Sequence, residues 1–142
     1  MKITFDHISL RAKDLEGMKE FITQLLGLKV GYRPKFPFPG YWLYSEGVDD
    51  ALIHMFGEDA SFYKKGLINE DFNKESDGKN IVNHVCFYSD NYEEVMDRIE
   101  KMNLDYSINT VPNLPIKQIF IKAPENLIIE IQSIPEEDMI EE

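Results

Sequence analysis

The chain has 142 residues, of which 43% are hydrophobic, and its formal net charge is −11. This length supports one domain with its own core, and the acidic charge argues against a nucleic-acid or anionic-membrane surface, because phosphates would be repelled. We expect neither a membrane span nor a secretory leader, since no apolar stretch has the required length or flanks. The single cysteine, Cys86, cannot form an internal disulfide, which favours a cytoplasmic protein.

The first half of the chain is predicted to form a strand, a helix and three further strands. The first strand covers about residues 2–11. The helix begins after Asp14, a residue that caps helix N-termini, and ends at Gly27, a residue that terminates helices. The three later strands are predicted near residues 28–33, 40–46 and 50–56.

The segment 33–40, with the sequence RPKFPFPG, contains three prolines and is not expected to form regular structure. Two interpretations are open for it. The prolines favour a rigid connection between strands, whereas Arg33 and the phenylalanines favour the rim of a pocket in which Arg33 binds an anion.

The second half repeats this order of elements. Asn91 and Glu94 resemble a capping box at the start of the second helix, and Asn103 stands where Gly27 stands in the first half. Strands are predicted from about residue 81 and near 104–110, 116–122 and 127–133. We therefore divide the single domain, 1–142, into a first module (about 1–56), a polar linker (about 57–80), a second module (about 81–133) and a solvated acidic tail (134–142).

An internal repeat relates the two halves. Displaced by 77 residues, the segment FDHISL at 5–10 falls on VNHVCF at 82–87; late in each half the displacement becomes 76, so that WLY at 42–44 falls on QIF at 118–120. Self-similarity on this scale indicates two copies of one supersecondary unit. The predicted fold class is therefore α+β, with two tandem βαβββ modules.

The chain's only three histidines and one glutamate occupy equivalent positions in this repeat: His7 matches His84, and His54 matches Glu130. Side chains alternate along a strand, so each of these groups lies opposite a strongly apolar face. A carboxylate among isoleucines needs a cationic partner, and a divalent metal would provide one. Three imidazoles and one carboxylate suit Zn, Ni, Fe or Co. In the alternative interpretation, the histidines fill the core and Glu130 faces solvent at a strand edge.

These features resemble the vicinal oxygen chelate superfamily, the group of glyoxalases, bleomycin-resistance proteins and extradiol dioxygenases. The resemblance covers about residues 2–133 and includes DHI at 6–8, RP at 33–34, FPGYWLY at 38–44, QIFI at 118–121, PEN at 124–126 and IE at 129–130. It implies that the modules form a curved, barrel-like mixed sheet with the helices outside. It also implies one divalent transition metal (Zn, Ni, Fe, Co or Mn) per site, held by His7, His54, His84 and Glu130.

The resemblance further implies a metal-dependent lyase or isomerase that acts on a small substrate with vicinal oxygens through an enediolate or enolate. Glu130 and His54 are the candidate catalytic residues. Arg33, Trp42 and Gln118 are the candidate substrate-binding residues, the last two because the repeat places them at equivalent positions. In bacterial glyoxalase I the position of His54 is acidic, so this chain departs from the pattern that binds the glutathione thiohemiacetal.

Three other functions remain open. An extradiol-type dioxygenase would bind Fe(II) through His7, His84 and Glu130 and use His54 for acid–base chemistry, although those enzymes usually have four modules. Bleomycin-resistance proteins bind small molecules without catalysis but typically lack the metal residues. A fosfomycin-type thiol transferase is the third possibility. We also expect a homodimer, which is the commonest oligomer.

Overall fold

The computed structural model describes residues 1–2, 4–58 and 83–139. The chain divides into two compact units, Met1–Asn80 and Ile81–Glu142. Most of the predicted linker, from residue 59 to residue 80, lies outside the described residues, as do the start of the second module at 81–82 and the end of the acidic tail at 140–142. Within the described ranges, no helix combines the length and apolarity needed to cross a membrane.

The described part of the first unit contains one helix and a four-stranded sheet. Its elements are β1 (Ile8–Ala12), α1 (Leu15–Leu26), β2 (Lys29–Gly31), β3 (Gly40–Tyr44) and β4 (Ile53–Gly57). The strand order is β1-β4-β3-β2; β1 is parallel to β4, and the other neighbouring pairs are antiparallel.

The second unit has the same architecture. Its elements are β5 (Val85–Tyr88), α2 (Tyr92–Lys101), β6 (Tyr106–Thr110), β7 (Lys117–Lys122) and β8 (Ile128–Ser133). The strand order is β5-β8-β7-β6, again with one parallel pair, β5 and β8. The prediction of an α+β fold made of two βαβββ modules is confirmed.

The limits of the first helix follow from its capping residues. The Asp14 carboxylate accepts a hydrogen bond from the backbone N–H of Gly17 at 2.9 Å, which satisfies an otherwise free donor of the first turn. Gly27 ends the helix with φ of 67°, in the left-handed region that glycine adopts without strain. Both predicted ends of α1 are confirmed.

The second helix is capped as predicted at its C-terminal end but only in part at its N-terminal end. Asn103 takes the place of Gly27, with φ of 53°. The Asn91 side chain accepts from the N–H of Glu94 at 3.0 Å. The reciprocal bond of a capping box is not formed, because the Glu94 carboxylate pairs with Arg98 and the N–H of Asn91 donates to Ser89 Oγ.

One face of each sheet consists of buried aliphatic side chains. In the first unit α1 lies against β1, β3 and β4, and its spacing places Met18, Ile22 and Leu25 on its buried side. The buried aliphatic strand residues are Ala12, Leu43, Ile53 and Met55 in the first unit and Ile119, Ile121, Ile129 and Ile131 in the second. Because side chains alternate along each strand, the residues between these positions lie on the opposite face, which carries the candidate site.

The first strand of each unit is shorter than predicted. We expected β1 to begin near residue 2, but it begins at Ile8; β5, expected from about 81, begins at Val85. Each is an edge strand with a single partner, and the register of β1 with β4 starts at Ile8 opposite Ile53. His7 and His84 therefore precede their strands by one residue instead of lying inside them.

The start of the acidic tail contacts the second unit. Residues Glu136–Asp138 form one turn of 3₁₀ helix, and the N–H of Glu136 donates to the Glu93 carboxylate of α2 at 2.9 Å. The carboxylates of the turn are exposed, so only its backbone is tied to the unit.

Candidate metal centre

His54 lies in a stack of three aromatic rings on the first sheet, on the face opposite α1. It is the second residue of β4, and the register places Trp42 of β3 directly opposite it. The indole ring of Trp42 is 3.7 Å from the His54 ring with an interplanar angle of 6°, and the His7 ring is 3.7 Å from the same imidazole at 17°. Two rings cannot stack on the same side of an imidazole, so His54 is held between Trp42 and His7.

The surroundings of His54 favour its neutral form. Burial, followed by the neighbouring His7 and Arg33, lowers the pKa of His54 to about 4, although Asp6 acts in the opposite direction. A neutral imidazole is the form that binds a metal ion. The first unit therefore presents a rigid imidazole that is free of a competing proton at neutral pH.

The proline-containing segment holds Arg33 close to this stack. The guanidinium lies over the rings of Phe36 and Phe38, at 5.0 and 5.1 Å, and donates to the carbonyl of Phe38 at 3.1 Å. Gly40 permits this position, since a Cβ there would lie 2.7 Å from a guanidinium nitrogen. Burial lowers the pKa of Arg33 from its usual value. The segment is irregular, as predicted, and it carries a partly buried cation.

Glu130 of β8 is the centre of the corresponding site in the second unit. It is 4% exposed, and its two oxygens have different partners. Oε2 accepts from Cys86 Sγ at 2.8 Å and from Gln132 Nε2 at 3.1 Å. Oε1 lies 3.4 Å from Nε2 of His84. The carboxylate is therefore fixed by Oε2, and Oε1 faces the histidine.

The contact between His84 and Glu130 has the spacing of two ligands of one metal ion. At 3.4 Å the two atoms are farther apart than in an ordinary N–H···O hydrogen bond, which is roughly 2.7–3.2 Å. Two ligands bound to zinc at about 2.1 Å in tetrahedral geometry lie about 3.4 Å apart. Among the residues that the structure describes, no lysine or arginine lies within ion-pair distance of Glu130. The pair fits a divalent cation.

Cys86 acts as a hydrogen-bond donor in this arrangement. Burial, and then the hydrogen bond to Glu130, raises the pKa of the thiol to about 12. The residue as a whole is exposed, but its sulfur faces the carboxylate. The sulfur therefore carries its proton at neutral pH and orients Glu130.

Each unit brings together two of the four predicted metal ligands: His7 with His54, and His84 with Glu130. Across residues 1–2, 4–58 and 83–139, no group of three or more His, Cys, Asp or Glu side chains is arranged to hold a metal. The donor set of three imidazoles and one carboxylate suits Zn, Ni, Fe or Co. The chemistry of this donor set therefore suits the predicted metal.

The predicted equivalence of Trp42 and Gln118 is wrong. Trp42 lies opposite His54, but the residue opposite Glu130 is Phe120, and Gln118 lies opposite Gln132. The stretch of chain from Phe120 to Glu130 is two residues shorter than the stretch from Trp42 to His54 in the first unit. Because side chains alternate, Gln118 still shares a face with Phe120 and Glu130.

No role was predicted from the sequence for Cys86 or Gln132, which hold Glu130. The alternation rule offered a signal for both, because Gln132 is two residues from Glu130 and Cys86 is two residues from His84. Their hydrogen bonds depend on the register of β5 with β8, which pairs Cys86 with Glu130.

The chain is similar in fold to solved structures of low sequence identity. A fosfomycin resistance protein from Listeria monocytogenes is 16% identical with a TM-score of 0.65, and the match covers 99% of this chain and 100% of that one. The lactoylglutathione lyase of Agrobacterium tumefaciens is 18% identical with a TM-score of 0.62, covering 92% of both chains. A glyoxalase family protein from Bacillus anthracis is 16% identical with a TM-score of 0.65, covering 94% of this chain and 97% of that one.

Comparison at the level of sequence gives no match, either to protein-family profiles or to curated proteins. The likeness is therefore one of fold. The repeated βαβββ topology and the structural neighbours agree with the resemblance found in the sequence. We conclude that this chain has the fold shared by these fosfomycin resistance, lactoylglutathione lyase and glyoxalase family structures.

Proposed function

We propose that the chain is a divalent-metal-dependent lyase or isomerase that acts on a small substrate with two neighbouring oxygens. The observation that carries this proposal is the pair formed by His84 Nε2 and Glu130 Oε1, separated by 3.4 Å with the second carboxylate oxygen already engaged. A carboxylate that is 4% exposed and faces an imidazole at this distance has the burial and spacing expected of a metal ligand.

The proposed metal ligands are the two equivalent pairs of residues, His7 with His54 and His84 with Glu130. The internal repeat supports this assignment, because the two pairs occupy equivalent positions on equivalent sheets. The metal, when bound, would supply Lewis-acid stabilisation to neighbouring substrate oxygens. The proposed chemistry is the same whether the ligands come from one chain or from two.

The side chains of this protein have separate roles in the proposed reaction. Glu130 is the candidate general base for a proton next to a carbonyl, since among the described residues the donors Cys86 and Gln132 both contact Oε2 and leave Oε1 facing His84. His54 is a metal ligand whose ring plane is fixed by Trp42. Arg33 would orient an anionic group of the substrate, and Gln118 lies on the same sheet face as Glu130.

The proposal is tested by assaying protein loaded with Zn²⁺, Ni²⁺, Co²⁺, Mn²⁺ or Fe²⁺ against a panel of substrates. The panel contains the methylglyoxal–glutathione thiohemiacetal, other 2-hydroxycarbonyl compounds and a catechol. We expect metal-dependent turnover of a hydroxycarbonyl compound that is lost in Glu130→Gln. Turnover that is equal with and without metal, or unchanged in Glu130→Gln, contradicts the proposal.

A second candidate is a resistance enzyme that acts on an anionic antibiotic. Two observations favour it: the partly buried cation Arg33 beside the stack, and two structural neighbours described as fosfomycin resistance proteins. The test is to incubate the metal-loaded protein with fosfomycin, with and without a thiol. Loss of the epoxide, abolished by Arg33→Met, would establish this candidate in place of the first.

A further inference from the structure

Each of the two histidines that precede a strand has its Nδ1 atom held by the residue just before it. His7 Nδ1 lies 2.6 Å from Oδ2 of Asp6, and His84 Nδ1 lies 2.9 Å from Oδ1 of Asn83. The two pairs fall on each other in the internal repeat of 77 residues. The same contact therefore occurs twice, once with a carboxylate and once with an amide.

These contacts determine which ring nitrogen carries the proton of a neutral imidazole. A carboxylate oxygen and an amide oxygen only accept hydrogen bonds, so the Nδ1 that each one contacts must be the donor. The lone pair then remains on Nε2. In the second unit this is the nitrogen that faces Oε1 of Glu130 at 3.4 Å.

We infer that Asp6 and Asn83 are positioning residues, which fix His7 and His84 in the tautomer that offers Nε2 to a metal. This inference rests on the metal site of the proposed function, but its first consequence, the tautomer, exists without any metal. Hydrogen bonds from the second nitrogen of a ligating histidine orient the ring and raise its basicity.

The two units differ in the charge of the positioning group. Asp6 is an anionic acceptor, and a charge-assisted hydrogen bond is stronger than a neutral one. Asn83 orients His84 without adding charge. The negative charge near His84 comes from the carboxylate of Glu130 instead. His7 is therefore the stronger donor of the two histidines, and substitutions of Asp6 should affect metal affinity more than substitutions of Asn83.

The alternative is an incidental surface contact, because the Asp6 side chain is 80% exposed. Long-range ¹H–¹⁵N spectra of metal-free protein at alkaline pH distinguish the two, since Nδ1 and Nε2 have distinct shifts in each tautomer. The chain has only three histidines, so His7→Gln and His84→Gln suffice to assign the signals. We expect both histidines to carry the proton on Nδ1 in the wild type.

Asp6→Ala and Asn83→Ala should each return the corresponding histidine to the Nε2–H form that neutral histidine prefers in water. Asp6→Asn should keep the Nδ1–H form, because the amide oxygen still accepts. A proton on Nε2 of His7 and His84 in the wild type, or an unchanged tautomer in both alanine variants, overturns the inference.

Zn²⁺ titration calorimetry on the same variants tests the consequence for binding. We expect Asp6→Ala to weaken Zn²⁺ binding by about 10–100-fold, the usual effect of losing such a partner, and Asp6→Asn to restore part of the affinity. If the wild type binds no Zn²⁺ while the tautomers are as expected, the proposed function fails and the positioning role of Asp6 and Asn83 stands. If Zn²⁺ binds and Asp6→Ala leaves its affinity unchanged, the positioning role fails alone.

Discussion

The substitution Glu130→Gln separates metal binding from folding. In the metal-free protein the new amide oxygen can accept from Cys86 and Gln132 as Oε2 does, and the new NH₂ group can donate to the lone pair on His84 Nε2. The side chain keeps its shape and its partners. Since a neutral hydrogen bond contributes about 1 kcal/mol, the free energy of unfolding should change by no more than about 1 kcal/mol.

The same substitution should remove most of the stabilisation that a metal provides. At a metal concentration of a hundred times Kd the wild type gains about 2.7 kcal/mol, and a variant with a hundredfold higher Kd gains only about 0.4 kcal/mol. At about 3 °C per kcal/mol for a chain of this size, metal should raise Tm by about 8 °C in the wild type and about 1 °C in the variant.

Differential scanning calorimetry, with and without Zn²⁺, measures both effects. Gln132→Ala is the matched control, because it removes a hydrogen bond to Oε2 but no proposed ligand; its metal-dependent rise in Tm should stay closer to that of the wild type. An equal rise in wild type and Glu130→Gln would refute the assignment of Glu130 as a ligand. A metal-free variant destabilised by several kcal/mol would refute the hydrogen-bond argument.

Three further predictions concern other residues and the assembly. In His54→Ala, metal content measured by mass spectrometry and turnover should fall together; full Fe(II) occupancy with turnover reduced roughly a hundredfold would instead support the dioxygenase alternative. At pH 8.5, iodoacetamide should alkylate Cys86 at least about tenfold more slowly in the folded protein than in urea, because the raised thiol pKa of about 12 keeps it protonated; equal rates would contradict this. Light scattering should show a homodimer of twice 16.6 kDa, and a dilute monomer with full metal affinity would rule out a site shared by two chains.

The fold could be predicted from the sequence because the internal repeat is visible in the spacing of the apolar residues that form the core. Buried positions recur with helical spacing in α1 and with alternation in β4 and β7, and both patterns are set by the geometry of a single element. Asp14 and Gly27 marked the ends of α1 through local hydrogen bonding and backbone conformation alone. Features of this kind need no knowledge of distant partners.

The details of the site could not be predicted, since they depend on which residues face each other across strands. The stack of Trp42 on His54 and the bond from Cys86 to Glu130 follow from strand register. The mistaken match of Trp42 with Gln118 has the same origin, because the length of the second hairpin shifts its register by two residues. Side-chain periodicity gives the face of a sheet but not the neighbour on that face.

The central claim is that His7, His54, His84 and Glu130 are the metal ligands of this protein, and the stoichiometry of binding tests it most directly. Zn²⁺ should bind the wild type at one equivalent per chain by isothermal titration calorimetry. The double variants His7→Ala/His54→Ala and His84→Ala/Glu130→Ala, one for each unit, should each abolish tight binding, because each removes two of the four proposed ligands. Two equivalents in the wild type, with one retained in each double variant, would show two independent sites and contradict the account.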